Sequence, residues 1–203
     1  MPDYNGLGNL DLLTAGYICM VIAVAGLASL PITLSQYREN KILKRFMATP
    51  IKPLDILVSQ LIVYAIIALI GSALLTIIGK IIYDLRFLGN IFEVLLGMLI
   101  ITFSIFSIGL FIAAITKNAK AAQAISFILY FPMLFLSGAT LPLGNMPDII
   151  ISISKFLPLT YGVELLQGLW LGGSLRDFLP QIGILLGVFI LFGSISLMTF
   201  KWE

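Results

Sequence analysis

The chain contains one long uncharged stretch that decides its fold: Val94-Leu-Leu-Gly-Met-Leu-Ile-Ile-Thr-Phe-Ser-Ile-Phe-Ser-Ile-Gly-Leu-Phe-Ile-Ala-Ala-Ile-Thr116. A helix needs about 20 mostly apolar residues to cross the hydrocarbon core of a bilayer. Comparable runs lie before and after this one. We therefore predict five membrane-spanning helices, at about residues 12–35, 56–79, 93–116, 121–140 and 178–200.

The composition agrees with a membrane protein. Of the 203 residues, 60% are hydrophobic and 11% are charged. Ordinary soluble domains have about 45–50% apolar and about 25% charged residues. A soluble chain of this size has too little interior to bury so much apolar surface. A soluble globular domain and a disordered chain are both excluded.

A sixth apolar region, residues 144–173, is interrupted by Lys155, Pro158 and Glu164. The pieces are about ten residues long, which is too short to cross the membrane, so we predict a re-entrant helical hairpin. The predicted fold is all-α: a polytopic transmembrane helical bundle of five spans plus an outer re-entrant helical hairpin. Residues 1–203 are predicted to form a single transmembrane domain.

The residue inventory limits the chemistry. The chain has no histidine and one cysteine, Cys19. Nucleophilic pairs that need histidine and histidine metal sites are excluded. We find no phosphate-binding loop and no metal-ligand spacing, and therefore expect no cofactor or metal on this chain. No basic stripe indicates nucleic acid as a partner.

Basic residues predict the orientation. Eight lie on one side of the predicted spans: Arg38, Lys41, Lys44, Arg45, Lys52, Lys117, Lys120 and Lys201. Four lie on the other side: Lys80, Arg86, Lys155 and Arg176. The side with eight is expected to be cytoplasmic, which puts the N-terminus outside and the C-terminus inside. Because an odd number of spans with an external N-terminus is unusual, we expect that a preceding span is missing from this sequence.

The basic loop after the first span has the pattern of an amphipathic helix over residues 38–49. Arg38, Lys41 and Arg45 recur on one helical face, and Ile42 and Phe46 pair at i+4. The Thr49-Pro50 dipeptide ends the helix. The residues alone favour a topological anchor on anionic lipid. The alternative is a rigid docking helix for a soluble partner.

Two groups of motifs carry a family resemblance. Arg38-Glu39, Leu43-Lys-Arg-Phe46 and Ala48-Thr-Pro50 resemble the cytoplasmic loop of ABC-2 type transporter permeases, with Lys41 replacing a common glycine and Phe46 a common leucine. The second group resembles the segment before the last span of that family: Phe135-Leu-Ser-Gly-Ala-Thr-Leu-Pro142, Asn145-Met-Pro147 and Leu157-Pro-Leu-Thr-Tyr-Gly-Val-Glu164. Gln167 stands where many members have a basic residue.

The resemblance implies the permease subunit of an ATP-driven exporter in a prokaryotic cytoplasmic membrane. ATP and Mg²⁺ would bind a separate ABC ATPase subunit, and this chain would not be an enzyme. A second permease copy or a homologue would complete the pathway, and membrane lipids would surround it. The few ionisable groups in the spans favour an amphipathic cargo, drug-like or lipid-like.

The resemblance also implies two functional segments. The ATPase-coupling helix would use Arg38, Glu39, Lys41, Leu43, Lys44, Arg45, Phe46, Thr49 and Pro50, with Glu39 and Arg45 as the foremost contacts. The outer re-entrant gate would use Ser137, Gly138, Pro142, Pro147, Pro158, Tyr161 and Glu164. We expect Glu164 to lie at headgroup level near Lys155 or Arg176, because a carboxylate inside the leaflet is costly.

Two other functions stay open from the residues. An enzyme acting on lipid headgroups would draw on the outer polar residues Asp84, Arg86, Glu93, Glu164 and Asp177. Their scatter along the chain and the lack of histidine disfavour it. The second alternative is a membrane assembly subunit without transport activity.

Small residues at i and i+4 recur in two spans. Gly109 precedes Ala113 in the third span, and Gly183 precedes Gly187 in the last. Such pairs let helix backbones approach closely. We predict that both pack within the chain.

Overall fold

The chain folds as a bundle of helices. The computed structural model describes residues 9–42, 53–141 and 143–199, and every regular element in those ranges is helical. The α-helices are α1 (Asn9–Ala23), α2 (Leu30–Glu39), α3 (Pro53–Tyr83), α4 (Ile91–Ile115), α5 (Ala119–Leu136), α6 (Asp148–Ser154), α7 (Pro158–Trp170) and α8 (Leu179–Thr199). A π-helical segment, Val24–Ser29, joins α1 to α2, and short 3₁₀ turns lie at Leu143–Asn145 and Leu175–Phe178.

Five helical stretches of the described chain are long and apolar enough to span a membrane. They are Asp11–Glu39, Asp55–Tyr83, Ile91–Ile115, Ala119–Leu136 and Leu175–Thr199. The short helices α6 and α7 meet at a bend of 96°. The predicted fold class is confirmed: five spans and a bent helix pair make this a multi-pass membrane protein.

The first and third spans form the centre of the bundle. In the most apolar 18-residue stretch of each, 67% and 72% of the residues are buried. Their contact is closest where the π-helical segment crosses α4. A Cβ on Gly109 would lie 1.9 Å from the carbonyl oxygen of Gly26, and a Cβ on Gly26 would lie 2.4 Å from the Phe106 ring. The crossing therefore depends on both glycines, and the predicted packing role of Gly109 is confirmed.

The π-helical segment was not predicted, and Pro31 accounts for it. Pro31 lies in the first turn of α2 and has no N–H to donate to the preceding turn. Its ring would also clash with the carbonyl four residues earlier in a regular α-helix. A wider π turn directly before the proline removes this conflict without ending the span.

The last span, α8, packs mainly along α4. Two aromatic pairs mark the contact: Phe103 with Phe189 at 5.9 Å and Phe111 with Phe192 at 5.3 Å between ring centroids. A Cβ on Gly183 or Gly187 would have no atom within 4 Å. The prediction that this second glycine pair packs within the chain is wrong.

The end of the first span corrects the predicted start of the amphipathic helix. Arg38 and Glu39 belong to the last turn of α2, and the helix ends in a turn at Asn40 and Lys41. The span continues past its uncharged part because Ser35 and Arg38 find polar partners on the neighbouring loop. Lys41 has a φ of 54°, which is outside the helical region, so α2 does not continue through this residue.

Candidate functional site

The two ends of the bundle hold the polar groups that the sequence singled out. One end carries the Arg38-Glu39 dipeptide at the close of α2. The other carries the bent helix pair with Glu164 and the Ser137-Gly138 break. Leu43, Lys44, Arg45, Phe46, Thr49, Pro50 and Pro142 lie outside the described residues.

Arg38 and Glu39 join the first span to the loop between α4 and α5. The Arg38 guanidinium donates from Nη1 to the carbonyl oxygen of Thr116, which is the C-cap of α4. A carboxylate oxygen of Glu39 accepts from the backbone N–H of Ala119, the first residue of α5, at 3.1 Å. The cation thus lies at a helix C-terminus and the anion at a helix N-terminus, which is the favourable sign for each helix dipole.

A buried hydroxyl pair strengthens this junction. The Oγ atoms of Ser35 and Thr116 are 3.0 Å apart, and both residues are buried. Since the Thr116 hydroxyl donates to the carbonyl of Ile112 at 2.8 Å, Ser35 is the donor to Thr116. We call Ser35, Arg38, Glu39, Thr116 and Ala119 the junction. Neither Thr116 nor Ala119 was predicted, because both are distant in the chain and belong to common residue types.

The opposite end is organised around the Ser137-Gly138 break. Ser137 is buried and caps α5, and Gly138 has a φ of 83°, which favours glycine. The next carbonyl, that of Ala139, lies against α1. A Cβ on Gly16 would come within 2.3 Å of that oxygen. The absence of a side chain at Gly16 therefore lets the backbone of the break pack directly against the first span.

The bend between α6 and α7 is held by side-chain bonds to backbone. Thr160 donates to the carbonyl of Ser154 and Tyr161 to that of Lys155, each at 2.7 Å. Pro147 is the N-cap residue of α6, and Pro158 occupies the first turn of α7, where its missing N–H costs nothing. The predicted gate residues Pro158 and Tyr161 therefore fix the shape of the hairpin.

Glu164 pairs with a glutamine rather than with a cation. Its Oε2 accepts from Nε2 of Gln181 at 3.3 Å, which connects α7 to the start of α8. The Oε1 of Gln181 is buried and has no hydrogen-bond partner within the described chain. The expected proximity of Glu164 to Lys155 or Arg176 gives no ion pair in the described structure. Gln181 was not predicted as its partner, because an isolated glutamine in an apolar run gives no signal.

Ser137, Gly138 and Glu164 line one cavity of about 510 Å³. Its other walls come from α1 at Leu12 and from the start of α8 at Gln181. The structure thus brings together three of the predicted gate residues. Of the others, Pro158 and Tyr161 set the bend, Pro147 caps α6, and Pro142 lies outside the described ranges.

A second cavity, of about 470 Å³, lies between the first span, α3 and α5. Its lining is mostly apolar and includes Tyr17, Tyr64 and Tyr130. Tyr64 is held by a hydrogen bond of 2.6 Å to Thr33. The cavity therefore offers a predominantly apolar surface, as pockets for small ligands do.

Three acidic side chains accept hydrogen bonds from backbone N–H groups. Glu93 accepts from the N–H of Leu175 at 2.8 Å, and Asp177 completes a capping box with Ser174. Asp11, which is 5% exposed, accepts from the N–H of Arg86 at 2.9 Å. Among the described residues, no three His, Cys, Asp or Glu side chains are grouped as a metal site would need. These acids stabilise the loops that they bind.

Comparison with known proteins gives one family. Residues 4–171 match the model of the ABC-2 type transporter family. The chain is 25% identical over 198 residues to the inner membrane transport permease YhhJ of Escherichia coli, covering 95% of this chain and 53% of the relative. It is 22% identical over 188 residues to the probable multidrug ABC transporter permease YbhS of Escherichia coli, covering 92% of this chain and 49% of the relative.

A eukaryotic relative shows the same likeness over a smaller part. The ABC transporter G family member 20 of Dictyostelium discoideum is 23% identical over 164 residues, which covers 81% of this chain and 22% of the relative. The chain spans about half the length of the bacterial permeases that it matches.

Proposed function

The chain belongs to the ABC-2 type transporter family, and from that premise we propose that it is the membrane-spanning permease part of an ATP-driven exporter. The family match over residues 4–171 carries this proposal. A separate ABC ATPase would bind ATP and Mg²⁺ and supply the energy. A second permease, identical or homologous, would complete the transport pathway.

We place the ATPase contact on residues 38–50, with Arg45 as the central contact. The junction supports this placement, because it fastens the start of the segment to two other helices. Arg38 binds the end of α4 and Glu39 binds the start of α5. A push on the segment would therefore move the first, third and fourth spans together. Glu39, proposed from the sequence as an ATPase contact, acts in this scheme as a positioning residue.

The proposed cargo is amphipathic, drug-like or lipid-like. The cavity of about 470 Å³ beside the first span supports this choice, since its lining is predominantly apolar and includes three tyrosines. The cargo must bind one conformational state of the permease more tightly than the other for ATP to drive transport. The hairpin with Glu164 would close the outer end of the pathway.

The decisive experiment is co-purification of the full-length protein with its ATPase. The parent protein is expected to retain the ATPase, and Arg45→Glu to reduce the retained amount at least tenfold. Lys155→Glu is the matched control, because it makes the same charge change in the hairpin at the opposite end. Equal retention by the parent and Arg45→Glu would refute the proposed contact, and no retention by the parent would refute the proposed function.

The proposed orientation has a test of its own. Cys19 is buried, so Cys19→Ser leaves a background for a single labelling site. Lys44→Cys in that background should react with a membrane-impermeant maleimide only after the cells are opened. Ser152→Cys, on the exposed side of α6, should react in intact cells. Reaction of Lys44→Cys in intact cells would reverse the topology and remove the ATPase contact with it.

A further inference from the structure

A third cavity lies in the outer half of the bundle, in the groove between α3 and α4. Its volume is about 570 Å³, within the range of pockets that hold small ligands. Leu69, Ala73 and Ile77 form one wall, and Val94, Leu95 and Met98 form the other. None of the residues assigned to the ATPase contact or to the gate lines this groove.

The groove offers almost no polar surface. Ser72 donates its hydroxyl to the carbonyl of Ala68 at 2.7 Å, and Thr76 donates to that of Ser72 at 2.9 Å. Both hydroxyls are thus used within their own helix. The remaining polar group on the wall is Lys80, which lies in the last turn of α3.

Lys80 lies at one end of the groove. It is exposed, and within the described part of the chain its ammonium group takes part in no hydrogen bond or ion pair. Phe87 and Trp170 lie at the same end, with ring centroids 4.9 Å apart. Aromatic rings and lysines at that level are typical of the zone of lipid headgroups.

The length of the groove matches one leaflet. Leu69 and Lys80, the far ends of its α3 wall, are eleven residues apart. At about 1.5 Å per residue the wall is roughly 16 Å long. Half of the hydrocarbon core is about 15 Å. The groove thus has one cation at one end and an apolar slot about one leaflet long. These dimensions match those of a phosphate with a single acyl chain below it.

We propose that this groove holds a phospholipid, with its phosphate on Lys80 and an acyl chain between α3 and α4. The ligand is a resident of the permease and not its cargo. The inference does not rest on the proposed transport function, since a membrane protein of any activity can hold such a lipid.

Quenching of Trp170 tests the acyl chain. The full chain is placed in phosphatidylglycerol vesicles with and without bromine on the acyl chains, and its fluorescence is compared with that of Trp170→Phe. The difference between the two proteins reports Trp170 alone. We expect brominated lipid to reduce that difference at least twofold. No reduction would mean that protein, such as a second copy, covers the groove, and would overturn the proposal.

Lipid retention tests the phosphate contact. Native mass spectrometry of the detergent-purified protein should show bound phospholipid, with at least threefold less in Lys80→Gln. Lys155→Gln is the matched control and should retain the parent amount. Ala73→Phe, which fills the slot and leaves the cation, should also lose the lipid. Equal retention by Lys80→Gln, or a preference for diacylglycerol over phosphatidylglycerol, would overturn the phosphate contact.

Discussion

The first and last spans are both long and apolar, but they are used in opposite ways. In the first span 67% of the most apolar stretch is buried within the chain, against 11% in the last. The first span buries its glycines and ends in charged side chains that bind neighbouring helices. A Cβ added to Gly183 or Gly187 of α8 would have no atom of another structural element within 4 Å. The length of an apolar run therefore predicts that a helix crosses the membrane. Its contacts with other helices decide whether it lies at the centre or at the edge of the bundle.

The largest expected effect is at the glycine crossing of the first and third spans. In Gly109→Leu the new Cβ would meet a backbone oxygen, which cannot rotate away as a side chain would. Overpacking of a core usually costs about 1–3 kcal/mol, and we expect at least the upper value here. Thermal unfolding in detergent should show a midpoint lower by roughly 6–12 °C. A midpoint within 2 °C of the parent would contradict the close crossing.

Arg38→Met should have the next largest effect. The change keeps much of the apolar length of the side chain and removes the charged donor to the Thr116 carbonyl. Hydrogen bonds to charged groups contribute about 1.5–3 kcal/mol, and we expect a loss in that range. Chemical unfolding measures it. Gln36→Met is the matched control, because Gln36 is exposed on the same turn and should change stability by less than about 0.5 kcal/mol.

The five spans and the bent pair were predictable because each depends on residues that are adjacent in the chain. Uncharged length fixed the spans, and Pro158 with its polar neighbours fixed the bend. The junction was not predictable, because Arg38 meets Thr116 across 78 positions of sequence. Its charges had an equally good local explanation as a basic loop at the membrane surface.

The two glycine pairs also show that local sequence does not predict contacts between distant helices. Gly109 and Gly183 both begin a pair of small residues at i and i+4. Spacing alone does not distinguish them, yet a Cβ on Gly109 would meet a backbone oxygen and a Cβ on Gly183 would meet no atom within 4 Å. The difference depends on which helix packs against each glycine, and the residues next to a glycine do not determine that. For the same reason Gln181 gave no sign that it would pair with Glu164.

Glu39→Gln should have a smaller effect than Arg38→Met. The amide oxygen can still accept from the N–H of Ala119, but the favourable charge at the start of α5 is lost. Charges at exposed helix ends contribute about 0.3–1 kcal/mol, and we expect a loss in that range. Hydrogen exchange at the start of α5 should become faster by about twofold to fivefold. An equal loss in high salt would count against the electrostatic origin, because exposed charges are screened there.

The smallest effect is expected at the glycines of the last span. Gly187→Leu adds a side chain where a Cβ would find no atom within 4 Å, so the isolated chain should tolerate it. Substitution of an exposed residue changes stability by about 0.5 kcal/mol or less, and replacing glycine in a helix adds a small gain. The unfolding midpoint in detergent should stay within 2 °C of the parent, in contrast to Gly109→Leu. If the two leucine variants were equally unstable, α8 would be as enclosed as the first span, and the distinction between a central and a peripheral helix would fail.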